Sequence, residues 1–453
     1  MRVAVVGGGI SGLAAARALV AAGHEPVVLE AAARVGGPLR VSEVAGVPVD
    51  EGADAFLVRT GAARDLAEAV GAEVVHPAAR EAQVLVRGRF VPLPRTLLGV
   101  PLDLRTARRA LGAAGAARAA ADLLLPPTPY DGDTAVGTLV RRRLGAAVAD
   151  RLLEPLLGGV YAGHADHLSM AATLPQLHDP AGTSLLRRAR AAAGPRSDAP
   201  VFGSLAAGLG TLPALAAAGL DVRLGQQVRS VRRTPTGWAL ETRTPGERGR
   251  GEQLTADAVV LALPAAAAAR LLAPLDPRAA ALAGAPAYAS VAIVTLALPR
   301  ETAGLLRDTT HSGWLAPPGS GVVKAVTVTS AKWAHVRTAA PGLVHVRASV
   351  GRAGEERELQ RDDRELVGVV AAEVAAVSGA RGPVLDSRVT RWGGALPQYA
   401  PGHLDRLAEL RRLLPPGLVV CGAAFDGVGI PACIASGQRA ATLLSDRLGT
   451  CGR

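Results

Sequence analysis

Arg2-Val3-Ala4-Val5-Val6-Gly7-Gly8-Gly9-Ile10-Ser11-Gly12 opens the chain. A short apolar, β-branched run leads into three glycines at the G-x-G-x-x-G spacing: Gly7, Gly9 and Gly12. Leu13 to Ala22 is an Ala/Leu-rich helical segment closed by Gly23, Pro26-Val27-Val28-Leu29 reads as a second buried strand, and Glu30 stands at its end. Strand, glycine turn, helix, strand and acid make one βαβ unit with a dinucleotide fingerprint. Gly7 makes the tight turn. Gly9 has no Cβ, so a pyrophosphate can come close to the backbone, and Gly12 lets the helix pack on the strand. The helix N-terminus offers unpaired N–H groups and a partial positive charge to phosphate. Glu30 is placed to accept hydrogen bonds from ribose hydroxyls. The expected nucleotide contacts are therefore Gly7, Gly8, Gly9, Ile10, Ser11, Gly12 and Glu30.

The next residues separate NAD from FAD. Glu30-Ala31-Ala32-Ala33-Arg34-Val35-Gly36-Gly37 matches E-[AS]-x-x-R-x-G-G, and Asp50-Glu51-Gly52-Ala53-Asp54 is similar to the D-x-G-[AP] segment that follows it elsewhere. Together they resemble the flavoprotein oxidase superfamily of amine oxidases, phytoene desaturases and protoporphyrinogen oxidases. The resemblance implies FAD as cofactor. It adds Ala31, Arg34, Gly36, Gly37, Gly52, Ala53, Asp54 and Ala55 to the cofactor-binding residues.

Composition sets the bounds. A chain of 453 residues calls for two or three domains. Apolar residues make up 49% but aromatics only 3%, so alanine, leucine and valine do most of the packing. The net charge of +11 suits an acidic partner. The arginines are spread along the chain without a basic tail or aromatic interleaving, which argues against nucleic acid. Cys421, Cys433 and Cys451 form neither a disulfide framework nor a metal spacing, so no metal is expected and a reducing, cytoplasmic compartment fits. The N-terminus enters a strand at once, leaving no room for a signal peptide. No apolar run reaches transmembrane length; Ala110 to Leu125 is interrupted by Arg118 and Asp122, which leaves at most a peripheral membrane contact.

Along the chain, Thr60 to Gly71 has helical spacing and Glu81 to Pro92 reads as a hairpin around Arg87-Gly88-Arg89. Residues 96–200 read as mainly helical, with Asp103 as N-cap for Leu104 to Leu125 and Asp133 or Thr134 for Ala135 to Arg143. Asp221 to Val231 and Trp238 to Thr242 read as strands, Thr244 to Glu252 as an exposed loop, and Asp257 to Pro264 as a buried strand. Residues 285–390 alternate like antiparallel sheet, with an amphipathic helix at Asp362 to Val377. The expected fold is α/β: a Rossmann-like FAD-binding domain built from 1–80, 201–284 and 391–453. Into it are inserted a mixed-sheet substrate domain (81–95 and 285–390) and a helical subdomain (96–200).

Three further stretches narrow the resemblance. Pro155-Leu156-Leu157-Gly158-Gly159-Val160-Tyr161-Ala162-Gly163 is similar to P-L-x-x-G-V-[YF]-A-G of the porphyrinogen oxidases. Arg391-Trp392 through Pro397, Tyr399 and Gly402-His403 resembles their R-W-x-x-[AG]-x-P-x-Y-x-x-G-H. Gly427-Val428-Gly429-Ile430-Pro431 before Cys433-Ile434 resembles their C-terminal flavin turn. The resemblance runs through nearly the whole chain and adds Val228, at the adenine, and Trp392, Val428, Gly429 and Ile430 to the FAD contacts. It implies the coproporphyrin-forming branch of the protoporphyrinogen oxidase family in heme biosynthesis, with a porphyrinogen and O2 as substrates. The reaction implied is a six-electron oxidation of coproporphyrinogen III in three flavin cycles with H2O2 release. It also implies a contact with the next heme-pathway enzyme. Arg59 and Lys332 are candidate clamps for substrate propionates, because cationic side chains pair with carboxylates and arginine does so bidentately. No general base stands out. Protoporphyrinogen IX oxidation is the first alternative. An amine oxidase or desaturase comes next, in which Lys324 would serve as the flavin-side lysine, and then a non-catalytic FAD and porphyrin binder. Oligomeric state is not legible.

Overall fold

Arg2–Val6 lies at the centre of a five-stranded parallel sheet. Glu25–Leu29 pairs on one side of it and Ala258–Leu261 on the other, with Asp221–Arg223 and Leu418–Val420 at the edges. The structure is a computed structural model. It describes residues 1–195, 199–244, 246 and 251–450, with the side chains of 447–450 left aside. Both faces of the sheet are covered, which is why its strands read as unbroken apolar runs rather than alternating ones. Val3, Val5 and Val260 pack against Ala15, Leu19, Ala440 and Leu444, that is, against the helices Ile10–Ala21 and Ile430–Thr450. Ala4, Val6, Val259 and Leu261 pack the other way, against Val231, Trp238 and Leu254 of a small antiparallel sheet and against the helices Ala265–Leu272 and Pro277–Gly284. The two ends of the chain meet here. A Cβ on Gly437 of the last helix would run into the Ser11 carbonyl oxygen of the first.

A second, seven-stranded sheet stands beside it, in the order Asp386–Gln398, Ala287–Pro299, Leu343–Val350, Val323–Val328, His311–Leu315, Glu81–Val86, Arg89–Pro92. The expected hairpin at 81–92 thus joins strands that begin more than two hundred residues later. The sheet is not purely antiparallel, because His311–Leu315 runs parallel to Glu81–Val86. Its last strand also continues past the expected boundary at 390 as far as Gln398, so Arg391 and Trp392 belong to this sheet. Helix Asp363–Ser378, N-capped by Asp362 onto the Glu365 amide, buries Leu366, Val370 and Val374 on one face of it.

The helices of 96–200 gather around a third core of Leu139, Leu144, Leu152, Leu157, Met170 and Leu186. Its polar centre is the buried pair Arg143 and Asp122, which are 1% and 0% exposed. Arg143 also donates to the carbonyls of Pro126, Gly182 and Asp122, while Asp122 accepts from the Ser184 hydroxyl and the Leu186 amide. A buried ion pair that meets its remaining valences in this way is costly to break from either side. Two local expectations change. The helix from Leu104 runs to Ala120 and is broken at Gly112, whose φ of 77° only glycine adopts freely. Helix Val136–Leu144 has no side-chain cap, because Asp133 accepts instead from Ser169, Ala171 and Gly402. Cys451 and most of the expected loop at 244–252 lie outside the described residues.

Candidate cofactor and substrate site

The glycine turn is built around an open space. Gly7 sits at φ 107° with its N–H on the Leu29 carbonyl. A Cβ on Gly12 would strike the Gly7 carbonyl oxygen, so the helix packs as closely as the backbone allows. A Cβ on Gly9, by contrast, would meet nothing within 4 Å. No side chain caps the helix that begins at Ile10, so its first amides are left for a ligand. Glu30 is held with one oxygen on the Gly8 amide at 2.7 Å and the other on the Ala32 amide at 2.8 Å, and both keep lone pairs for hydroxyl donors. Gln226 donates its amide to the Glu30 carbonyl, which brings the strand Gln227–Thr234, with Val228 near its start, alongside the acid.

From this turn a continuous ridge of backbone leads to the second sheet. The Gly36 amide bonds the Gly8 carbonyl at 2.8 Å, and Arg34 ties the loop down by donating to the carbonyls of Val35, Gly37 and Leu39. Burial, and then the neighbouring charge of Arg40, draws the Arg34 guanidinium below its ordinary pKa. A Cβ on Gly37 would meet nothing within 4 Å. The Glu51 amide bonds the Arg40 carbonyl, and Gly52 is packed onto the Pro38 carbonyl so closely that no Cβ would fit.

The segment Asp50 to Asp54 is then held by several distant parts of the chain. Asp50 accepts the amides of Leu209 and Gly210 at 3.1 and 2.7 Å, and burial pushes its carboxyl up to about 6. Glu51 pairs with Arg40 at 3.2 Å and accepts from the Thr390 hydroxyl, while its carbonyl takes the Trp392 indole N–H at 2.9 Å. Asp54 binds Lys332 Nζ at 2.9 Å, Trp333 Nε1 at 3.3 Å and Arg347 Nη1 at 3.3 Å. Burial opposes its charge, yet Lys332 and Arg347 together hold the carboxyl well below the usual range. Ala53 beside it is exposed and Ala55 half-buried.

The C-terminal turn closes on the same space. Ile430 and Ile434 pack with Ile10 and Leu13. A Cβ on Gly429, at φ 107°, would meet nothing within 4 Å. Val428 packs on the cluster that contains Tyr161 and Tyr399, whose rings meet edge-on at 6.0 Å. Glycines facing open space at 9, 37 and 429, an uncapped helix start and an acid at the second strand's end fit a dinucleotide with a ring system at one end.

Strand register adds residues that the sequence did not single out. Leu315, Ala325, Ser349, Ile293 and Thr390 pair directly, one to the next, across five strands. Directly paired residues share a face, and all five are half-buried. The neighbouring row, Trp314, Val326, Ala348, Val294 and Val389, packs with helix Asp363–Ser378. The half-buried row therefore points the other way. There, Arg347 reaches Asp54 and the Gly52 carbonyl, Thr390 reaches Glu51, and Leu315 Cδ2 lies 3.6 Å from where a Cβ on Gly159 would stand. It forms an aliphatic and hydroxyl floor between the Asp50 to Asp54 segment and helix Glu154–Tyr161. Each strand's alternation was visible in the sequence, but its pairing with strands far along the chain was not.

Of the two clamp candidates, Lys332 is not an open arm: its side chain is 13% exposed and bound to Asp54. Arg59 is exposed on the turn Val58–Thr60 and makes no hydrogen bond or ion pair among the described residues. Lys324 donates to the Gly351 carbonyl at 2.7 Å, and burial with the nearby charge of Arg352 pushes its amine down to about 7. Neither lysine belongs to the half-buried row, so the flavin-side lysine of the amine-oxidase alternative has no counterpart there.

A family model for flavin-containing amine oxidoreductases matches residues 10–445. The chain belongs to that family. Its cofactor is FAD, in keeping with the fingerprint and with Glu30. Among relatives, it is 37% identical to a coproporphyrinogen III oxidase of Mycobacterium tuberculosis, over 98% of this chain and 97% of that one. It is 32% identical to a coproporphyrinogen III oxidase of Bacillus subtilis, over 97% and 96%. A crystal structure from Exiguobacterium sp. 255-15, provisionally called a protoporphyrinogen oxidase, superposes with a TM-score of 0.83 at 29% identity over 98% of both chains. No helix among the described residues is long and apolar enough to cross a membrane.

Proposed function

We propose that this protein oxidises coproporphyrinogen III to coproporphyrin III with FAD and dioxygen, in heme biosynthesis. The observation that carries the reading is the half-buried row Leu315–Ala325–Ser349–Ile293–Thr390, a floor of aliphatic and hydroxyl side chains beside the glycine cradle, with no lysine or carboxylate in it. Such a floor suits a large apolar ring that brings its own reactive C–H and N–H bonds. It offers no charged partner for an ammonium group and no base to deprotonate one. The full-length likeness to coproporphyrinogen III oxidases supports the same reading.

When bound, FAD takes up hydride and returns the electrons to dioxygen. The chain's own residues position and shield. The amides that start helix Ile10–Ala21 would hold the phosphates and Glu30 the ribose, with the Gly36–Gly37 and Gly52–Ala55 segments as the residues to hold the flavin end. The floor aligns the macrocycle and excludes water, and pyrrole protons leave to solvent without a dedicated protein base. Arg59, exposed and unpaired among the described residues, is the arm for a substrate propionate. Overall, the macrocycle loses six hydrogens, and three dioxygen molecules become three of hydrogen peroxide. The protein acts in the cytoplasm.

The test is to supply the flavin-loaded protein with coproporphyrinogen III, protoporphyrinogen IX and a simple amine, following porphyrin fluorescence and peroxide. Faster turnover of coproporphyrinogen, with three peroxides per porphyrin, supports the reading. Preference for protoporphyrinogen moves the substrate, and oxidation of the amine alone overturns the reading.

A further inference from the structure

Asp54 is a single carboxylate shared between two cations. Two cations, Lys332 and Arg347, lie 2.9 and 3.3 Å from its two oxygens. Their side chains are 13% and 8% exposed, and that of Asp54 is 16% exposed. The other carboxylates on the loop are Asp50, which accepts the Leu209 and Gly210 amides and also feels the Arg347 charge, and Glu51, which pairs with Arg40 and Arg388 and accepts from Thr390. Arg347 also donates to the Gly52 carbonyl, yet its Nε is buried with no partner. In the sheet, Arg347 is two residues before Ser349 and opposite Thr327 and Thr295. That places it about 7 Å along the strand from the substrate floor, on the same face. It therefore stands at the junction of three things: the loop that continues the glycine cradle, the floor, and a buried N–H with nothing to bond.

We propose that the Lys332–Asp54–Arg347 cluster is an electrostatic positioning device for the flavin ring, with Arg347 as the cation that favours the negative charge placed on the ring by reduction. Lys332 acts through Asp54. It competes for the carboxylate and so leaves part of the Arg347 charge uncompensated toward the cofactor. In a site with little water, fixed charges of this kind act more strongly than at the surface. The inference rests on the placement of residues 52–55 along the flavin. It does not rest on the substrate assignment, because its readout needs no porphyrinogen.

The experiment measures the two-electron reduction potential of the bound FAD against a reference dye in Arg347→Gln, Lys332→Met, Asp54→Asn and Lys332→Arg. Removing a cation should lower the ratio of reduced to oxidised flavin about tenfold at a fixed dye couple, about 30 mV. Removing the carboxylate should raise that ratio by a similar factor. Lys332→Arg should stay within about twofold of the parent protein. The opposite signs matter, because a cluster that only stabilised the fold would move stability in one direction for every variant and leave the potential alone. If Arg347→Gln fails to retain FAD, the comparison of Lys332→Met with Asp54→Asn carries the same sign test. Equal potentials in flavin-loaded variants, or shifts of the same sign for cation and carboxylate removal, would overturn the proposal.

Discussion

Gly9 and Gly12 are three residues apart in one motif, yet the structure gives their substitutions opposite consequences. A methyl on Gly9 points into space with no protein atom within 4 Å, and the residue's φ of −70° is one that alanine adopts without strain. Gly9→Ala should therefore leave the flavin-free protein as stable as before, or about 0.4–1 kcal/mol more stable, because alanine lowers the entropy of the unfolded chain. If the cradle holds FAD as proposed, the same methyl takes the place of the pyrophosphate. Pushing the phosphate off the helix amides should weaken FAD binding by at least tenfold, about 1.4 kcal/mol, and nearer a hundredfold if two amide contacts are lost. Gly12→Ala does the reverse in the first respect. Its methyl meets the Gly7 carbonyl oxygen, so the helix must move off the strand. Overpacking of that kind costs about 1–3 kcal/mol of fold stability whether or not FAD is present. The assays are urea unfolding of the flavin-free variants and titration of each with FAD, followed by the quenching of flavin fluorescence. An FAD dissociation constant for Gly9→Ala within twofold of the parent value would refute the cradle, since the space beside Gly9 would then not hold the cofactor.

Four further outcomes are expected. Ser349→Phe fills the middle of the floor and should raise KM or lower kcat for coproporphyrinogen at least tenfold while FAD affinity stays unchanged; an unaltered kcat/KM would remove the floor from the substrate site. Arg59→Ala should raise KM several-fold with kcat preserved, and the loss should be smaller for a porphyrinogen with fewer propionates. Asp122→Ala strands the buried Arg143 and should cost about 3–5 kcal/mol in urea unfolding, with the flavin spectrum of the folded fraction unaltered. The pH profile of stability should carry two opposite slopes. Asp50, raised to about 6 by burial, binds its proton more tightly when folded, so its contribution falls as pH rises from about 4 to about 6. Asp54, lowered by Lys332 and Arg347, contributes above about 4 and loses that contribution below it. Asp50→Asn should abolish the first slope and keep the second.

The cofactor half of the site was legible because its signals are local. Glycine spacing, helix start and acid follow one another within thirty residues, and each has a backbone reason. Val428 to Ile430 was legible only as a resemblance, and the packing of Ile430 and Ile434 on Ile10 and Leu13 supplies its physical basis. The substrate side was hidden because it depends on register. Ile293, Ser349, Ala325 and Leu315 each alternate correctly within their own strands, but only the pairing of four strands sets them in one row facing the loop. The ion pair of Lys332 was hidden for a similar reason, because its partner, Asp54, is 278 residues away. Asp133 looked like a helix cap because local spacing favours one, and three distant donors outcompete that role.

The most direct test of the central claim is the first reductive half-reaction, followed without oxygen. The FAD-loaded protein is mixed with excess coproporphyrinogen III and the visible absorbance of the flavin is followed. Bleaching of that absorbance at a rate no slower than kcat, with recovery when oxygen is admitted and coproporphyrin formed in proportion, is the result expected of a flavin oxidase acting on this macrocycle. Flavin that stays oxidised under coproporphyrinogen, while an amine bleaches it, would contradict the account.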